Sequence, residues 1–302
     1  MDDELQREIL ELKRAKDVLI LAHNYQRPEV QEIADHVGDS FELARRAAEA
    51  DAKIILFCGV DFMAEVAAIL NPDKRVLIPA PEARCPMAAM LPAYLVKGYK
   101  ERYPEAAVAV YINTLAEAKA EADVVFTSSN GVRICSSLPE QEILVGPDLN
   151  LARYIQKRLP EKRIIPMPEY GYCYTHRKFK VADLARRDEG MEVMIHPEAD
   201  LALQERADFV GSTGQMFSYP RRSRAKKFLV GTEVGLIHRL EREYPDREFY
   251  PLNEEAVCWQ MKKNTLAKVH EALREERYPV EVDGEIAARA KEAIDRMIEL
   301  GR

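Results

Sequence analysis

Residues 18–40 read VLILAHNYQRPEVQEIADHVGDS, and this stretch decides the fold. Val18–His23 is an unbroken apolar run ending in a histidine, the pattern of a strand buried on both faces. From Pro28 the spacing becomes helical, with Val30, Ile33, Ala34 and Val37 on one face. Gly38-Asp39-Ser40 follows, and Ser40 is expected to cap the next helix, FELARRAAEA. A buried strand, a polar strand end and a helix start are the parts of a βα unit.

The unit recurs. His23, Tyr111 and His196 lie 88 and 85 residues apart; Cys85, Cys173 and Cys258 repeat that spacing, each 62 residues after its partner. Gly59-Val60-Asp61, Gly146-Pro147-Asp148 and Gly231-Thr232-Glu233 occupy one junction. Pro72-Asp73-Lys74, Pro160-Glu161-Lys162 and Pro245-Asp246-Arg247 occupy another. A period this long is the length of a small domain, not of a solenoid repeat. Strands alternating with helices imply parallel sheets covered on both faces. The expected class is α/β, with three pseudo-symmetric αβα domains whose parallel four-stranded sheets surround a central active site. The units are 17–85, 86–173 and 174–258. The N-terminal helix 1–16 and the C-terminal helices of 259–302 are expected to pack on the first.

Composition sets outer limits. With 47% apolar and 31% charged residues over 302 positions, the chain is ordered and large enough for several compact units. A net charge of −7 without a long basic run argues against nucleic acid and an anionic membrane surface as partners. The most basic segment, Arg221 to Lys227, reads as a solvated turn or as a loop reaching toward an anionic ligand. The acidic start MDDELQREILELKRAK is no signal peptide, and no apolar run reaches the ~18 residues of a membrane span. A cytoplasmic protein is expected. Abundant Glu, Lys and Arg beside few Asn and Gln point to a thermophilic source. In a cytoplasmic protein, five cysteines without a C-x-x-C pair argue against a disulfide framework and a simple zinc ribbon.

In parallel sheets ligands bind beyond the carboxyl ends of the strands. Those ends are His23-Asn24-Tyr25, Tyr111-Ile112-Asn113 and His196-Pro197-Glu198. Seventeen residues after each first residue stands a hydroxyl: Ser40, Ser128 and Thr213. Any one alone reads as an ordinary N-cap. Threefold recurrence beside His and Tyr suggests pockets for a small, multiply anionic substrate. Cys85, Cys173 and Cys258 sit in loops after equivalent strands, and threefold packing brings them to one axis. Three thiolates there suit a zinc ion or three irons of a four-iron cluster, leaving one position open for Lewis-acid work. Cys58 and Cys135 have no counterparts and read as buried, inert residues. His176, three residues after Cys173, stands where the other units have Ala88 and Met261. It reads as catalytic or substrate-contacting; spacing alone serves a core or surface histidine equally. Glu198, unmatched by a carboxylate elsewhere, is the candidate general base. Tyr25 is a candidate proton donor or substrate anchor. His36, His238 and His270 fall in helical patterns and read as structural.

The segments ILAHNYQRPEVQEIADHVGDS, YINTLAEAKAEADVVFTSSN, CYTHRKF, MIHPEA and GSTGQM resemble the quinolinate synthase family, the A proteins of NAD biosynthesis. The resemblance covers nearly the whole chain. It implies a central 4Fe–4S cluster on Cys85, Cys173 and Cys258 with one open iron, used as a Lewis acid without electron transfer. It implies condensation of iminoaspartate with dihydroxyacetone phosphate to quinolinate, with loss of phosphate and two waters. It also implies a functional link to an iminoaspartate-producing enzyme. Substrate contacts carry over to His23, Ser40, Tyr111, Ile112, Asn113, Ser128, His196, Pro197, Glu198 and Thr213. Catalytic roles carry over to Tyr25, His176 and Glu198, with His23 and His196 assisting. Two departures stand out. Ala199 occupies a position where many relatives have Cys, and Cys258 stands without the C-x-x-C-x-x-C of some bacterial relatives. The competing readings are another 4Fe–4S-dependent hydro-lyase acting on a small carboxylate, and a cluster-based sensor.

Overall fold

The computed structural model describes residues 2–301. Helix α1 (Asp2–Ala15) leads into the first unit: β1 (Val18–His23), α2 (Pro28–Ile33), β2 (His36–Gly38), α3 (Ser40–Ala48), β3 (Ile54–Cys58), α4 (Asp61–Leu70) and β4 (Arg75–Leu77). The second holds α5 (Ala93–Arg102), β5 (Ala107–Tyr111), α6 (Ala116–Lys119), β6 (Val124–Phe126), α7 (Gly131–Ser137), β7 (Glu142–Gly146), α8 (Leu149–Arg158) and β8 (Arg163–Pro166). The third holds β9 (Met191–Ile195), α9 (Leu201–Gln204), β10 (Phe209–Val210), α10 (Thr213–Ser218), β11 (Lys227–Gly231), α11 (Gly235–Glu243) and β12 (Glu248–Pro251). Helices α12 (Leu266–Glu275) and α13 (Gly284–Leu300) follow.

Each unit forms one four-stranded sheet, ordered β2-β1-β3-β4, β6-β5-β7-β8 and β10-β9-β11-β12, with every pairing parallel. Register repeats as well as order. Ala22 faces Val37, Val110 faces Val125 and Ile195 faces Val210. Across the other edge of the same strands, Ala22 faces Cys58, Val110 faces Gly146 and Ile195 faces Gly231. These residues are 88 and 85 apart, so the three sheets superpose residue for residue.

Three aspartates help fix that register. Asp35, Asp123 and Asp208 accept the backbone N–H of Ile20, Val108 and Val193 at 2.8, 2.7 and 2.7 Å. Each satisfies a strand donor beyond the reach of the short edge strand, where an unpaired buried N–H would cost about 1–3 kcal/mol.

The sequence reading needs correction in three places. The helix from Pro28 ends at Ile33, and His36–Gly38 is a strand, so His36 is not helical. Ser40 is not the N-cap of α3: Asp39 is, accepting from Phe41 and Glu42 at 3.1 and 3.0 Å. In the third unit Ser212 likewise caps α10, leaving Thr213 as its first residue. A cap must accept from donors two or three residues ahead, and the residue before each hydroxyl does this. Finally, α13 does not rest on the first unit alone. Its stripe of Ala290, Ala293, Ile294 and Met297 packs mainly on β6 and α6 of the second, while α12 lies against α1.

The core follows the same division. The first two units and α13 share one apolar cluster, the other face of the first sheet packs with α1 and α12 in a second, and each face of the third sheet has its own. Among the described residues, no helix is long and apolar enough to cross a membrane.

Candidate active site

The first strand of each unit ends facing the other two. Residues from all three ends line a single cavity: His23 and Tyr25, Tyr111 and Asn113, His196 and Glu198. Ser40, Ser128 and Thr213 line it too, as do Cys85, Cys173 and Cys258. Ile112 and Pro197 do not. Side chains alternate along an extended chain, so with Tyr111 aimed at the cavity Ile112 turns into the shared apolar core. Pro197 lies between two inward residues, and its carbonyl accepts from Gln204 at 2.8 Å. His176 lies behind the cavity wall, buried against Glu198.

Buried side chains hold the strand ends. Gln31 donates to the Gln26 carbonyl at 3.0 Å, and Gln204 to that of Ala199 at 2.8 Å. At the equivalent position of the second unit, Lys119 donates to the Thr114 carbonyl. The sequence reading missed these three. The 88 and 85 spacing that located the cysteines also relates them.

The cysteine loops are built alike. Asp61, Asp148 and Glu233 accept the backbone N–H of Cys85, Cys173 and Cys258 at 2.9, 3.1 and 3.0 Å. This is the work of the acidic residue in the repeated Gly-x-Asp/Glu junction. A short 3₁₀ turn begins three residues after each cysteine, at Ala88, His176 and Met261. The backbone N–H groups of those three residues face the respective sulfurs. Burial pushes all three thiols up, and repulsion between the sulfurs of Cys85, Cys173 and Cys258 adds to this for the first two. Three half-buried cysteines, each sulfur met by N–H donors and none in a disulfide, form a donor set that a positively charged centre would turn into thiolates.

Spacing separates the metal options. Zn–S bonds of about 2.3 Å at tetrahedral angles bring sulfurs within about 3.8 Å of each other. Among the described residues, the group of three or more ligand atoms lying within 4.8 Å of one another is Cys173, His176 and Glu198, not the three cysteines. At least one pair of the three sulfurs therefore stands farther apart in this structure than the ligands of one tetrahedral zinc would. Cys58 and Cys135 are both buried away from the cavity, and burial pushes Cys135 up to about 12.

Beside the sulfurs, and in contact with Cys173 Sγ through His176 Nδ1 at 3.2 Å, lies a hydrogen-bonded chain of polar groups. Tyr25 OH meets Thr232 Oγ1 at 2.6 Å, and Thr232 Oγ1 meets His176 Nε2 at 2.9 Å. His176 Nδ1 lies 2.7 Å from Glu198 Oε2, and Tyr111 OH donates to Glu198 Oε1 at 2.8 Å. In the sequence Thr232 stands only as part of the Gly231-Thr232-Glu233 junction. Its counterparts Val60 and Pro147 carry no hydroxyl, and that asymmetry was the available signal.

The electrostatics are divided. Burial raises Glu198, but His176 and His196 outweigh it and hold the carboxyl well below its usual range. Burial, then the Glu198 charge, pushes Tyr25 and Tyr111 well above the ordinary tyrosine value. Burial lowers His23 to about 3, and His196 opposes its protonation further. Burial also lowers His196 to about 3, against the pull of Glu198. Both imidazoles are therefore neutral near pH 7. Nδ1 of His196 accepts the Glu198 N–H at 3.3 Å, which leaves Nε2–H to donate to Ser128 Oγ at 3.2 Å. Nδ1 of His23 accepts the Tyr25 N–H at 3.2 Å, leaving its Nε2 protonated too. The cavity thus combines one ionised carboxylate, two protonated phenols, neutral imidazole donors and a cluster of thiols. That combination can move protons on a small, oxygen-rich substrate.

Comparison with known proteins gives a consistent result. The family model described as quinolinate synthetase A protein matches residues 7–299. Named quinolinate synthase, a protein of Methanothermobacter thermautotrophicus is 51% identical over 302 residues, covering 99% of each chain. Its namesake in Thermococcus onnurineus is 48% identical over 301 residues, again covering 99% of each. A third, from Methanocaldococcus jannaschii, is 47% identical over 300 residues and 97% of each.

Proposed function

The chain belongs to the quinolinate synthetase A protein family, and from that membership we propose that it condenses iminoaspartate with dihydroxyacetone phosphate to quinolinate, releasing phosphate and two waters. One observation carries the reading. A single cavity is lined by three thiols together with the imidazoles, phenols and carboxylate of all three strand ends.

Cys85, Cys173 and Cys258 would hold a 4Fe–4S cluster. When bound, that group supplies an electrophilic iron that polarises a substrate oxygen or nitrogen. The protein's own residues do the rest. Ser40, Ser128 and Thr213, freed from capping by Asp39 and Ser212 in the first and third units, offer hydroxyls to carboxylate and phosphate oxygens. Asn113 has a buried Oδ1 without a partner, an acceptor available to a substrate N–H or O–H. Glu198 is the base, since it is ionised and already faces the cavity. Tyr25 remains protonated and is the donor to a departing oxygen. Its proton is replaced through Thr232 and His176, which link it to Glu198. His23 and His196 donate from Nε2 to oxygens that gain negative charge.

The test is an anaerobic preparation assayed with iminoaspartate formed in situ and dihydroxyacetone phosphate. Quinolinate should accumulate, and iron and sulfide should approach about four per chain. One zinc per chain would overturn the cluster, and absence of quinolinate from a cluster-loaded preparation would overturn the reaction.

A further inference from the structure

Outside the cavity runs a second, wider depression of about 1140 Å³, and Asp39, Phe41 and Ser128 belong to both. It therefore adjoins the cavity on the side of the substrate hydroxyls. Its lining contains seven arginines against two carboxylates, in a chain whose net charge is −7. All three units contribute: Arg45 and Arg46 from α3, Arg133 and Arg158 from α7 and α8, and Arg221, Arg222 and Arg239 from the third unit.

The two carboxylates do not neutralise this surface. Asp39 is engaged by Phe41 and Glu42 N–H, by Ser212 Oγ at 3.0 Å and by Gly214 N–H at 3.3 Å. Glu42 lies 3.7 Å from Arg239. Outside the groove, Arg45 and Arg221 pair with Glu49 and Glu243. Arg46, Arg133, Arg158 and Arg222 have no carboxylate within ion-pair distance among the described residues. Two of them are already oriented. The Arg158 guanidinium lies 3.5 Å from the Tyr154 ring centroid, and Arg222 lies 5.3 Å from that of Phe209. A guanidinium held against a ring loses little further freedom on binding; Arg158 also donates one N–H to the Tyr154 carbonyl at 3.3 Å, and its remaining edge N–H groups point to an oxyanion role.

We propose that this groove is a capture site for a small, doubly charged phosphate ester, held by Arg46, Arg133, Arg158 and Arg222 before it passes into the cavity. The identity of that ester as the triose phosphate rests on the function proposed above; the anion site itself does not. Four cations that have no carboxylate partner among the described residues, beside a low-dielectric mouth, raise the local concentration of dianions and their rate of arrival, by about 10–10³-fold for focused clefts. The seven-residue basic segment that the sequence offered as a turn or an anion-seeking loop begins at this rim, with Arg221 and Arg222.

The experiment compares the cluster-loaded protein with a variant combining Arg46→Gln, Arg133→Gln, Arg158→Gln and Arg222→Gln. Inorganic phosphate is titrated by calorimetry at low ionic strength. Steady-state rates for the phosphate substrate are then measured across an ionic-strength series. Phosphate affinity should drop about tenfold or more, KM should rise by a similar factor with kcat within about twofold, and the salt dependence of kcat/KM should flatten. The single charge reversal Arg133→Glu should shift the same quantities in the same direction. Wild-type phosphate affinity together with a wild-type salt slope in the combined variant would overturn the proposal. Should the unmodified protein form no quinolinate, the reaction reading fails alone, because the phosphate titration still decides the anion site.

Discussion

Glu198 and His176 meet at 2.7 Å, carboxylate oxygen to Nδ1, and the same imidazole nitrogen lies 3.2 Å from Cys173 Sγ. The one carboxylate that breaks the threefold symmetry of the strand ends is therefore tied to the histidine that breaks the symmetry of the cysteine loops. The hydrogen-bonded chain and the thiol cluster share a residue.

Glu198→Gln keeps the shape and the hydrogen bond from Tyr111 but removes the proposed base. Turnover should decline by about 10²–10⁴-fold, the range for loss of a positioned general base. Iron and sulfide content should match the parent protein. A variant within threefold of parental activity would remove Glu198 from the mechanism.

Thr232 is the bridge between Tyr25 and His176. Thr232→Val preserves volume and removes both bonds, so kcat should fall about tenfold or more while KM changes little. Its acidic and basic limbs should move in the pH–rate profile. Thr232→Ser should restore most of the rate. Equal rates in the Val and Ser variants would show that the hydroxyl carries no proton.

His23 and His196 give a signed pH effect on stability. Both are lowered to about 3 in the folded protein by burial, against 6.5 when exposed. Below pH 6.5 the unfolded chain binds protons that the folded chain refuses, so stability drops as pH falls from about 6.5 toward 3. Above that window these groups contribute nothing. The slope is about 1.4 kcal/mol per pH unit for each histidine. Urea unfolding between pH 7 and 4 should show a shallower decline in the His23→Gln, His196→Gln double variant. An unchanged slope would refute the assignment.

Asp148 accepts from Leu151 N–H at 2.8 Å as the cap of α8 and from Cys173 N–H at 3.1 Å. Asp148→Ala deletes the cap and orphans a buried donor, a loss of about 2–4 kcal/mol. Unfolding of the apo protein would measure it, and iron retention should fall with it. If stability is unchanged, the junction carboxylates are not what positions the cysteine loops.

Much of this was legible in the sequence, because a repeat is arithmetic. The 88 and 85 spacing, together with apolar runs alternating with helical patterns, identified three parallel αβ units, the polar strand ends and three equivalent cysteines. The same arithmetic also places β2 of the first unit at residue 36, opposite Val124 and Phe209, although helical periodicity hid it. Local patterns lost there because Val37 fits either period, while the strand is defined by pairing with β1, a partner outside the local window.

Only the tertiary structure decided what crosses between units. Sequence could not show that Thr232 of the third unit would stand between Tyr25 of the first and His176, or that Tyr111 would reach Glu198. Nor could it show that arginines from three units, four of them without a carboxylate partner among the described residues, would border one groove. Those relationships join residues about 50 to 200 positions apart. They depend on how three rigid sheets face each other, and pairwise distance in space, not spacing along the chain, sets both the hydrogen bonds and the shifted ionisation of the site.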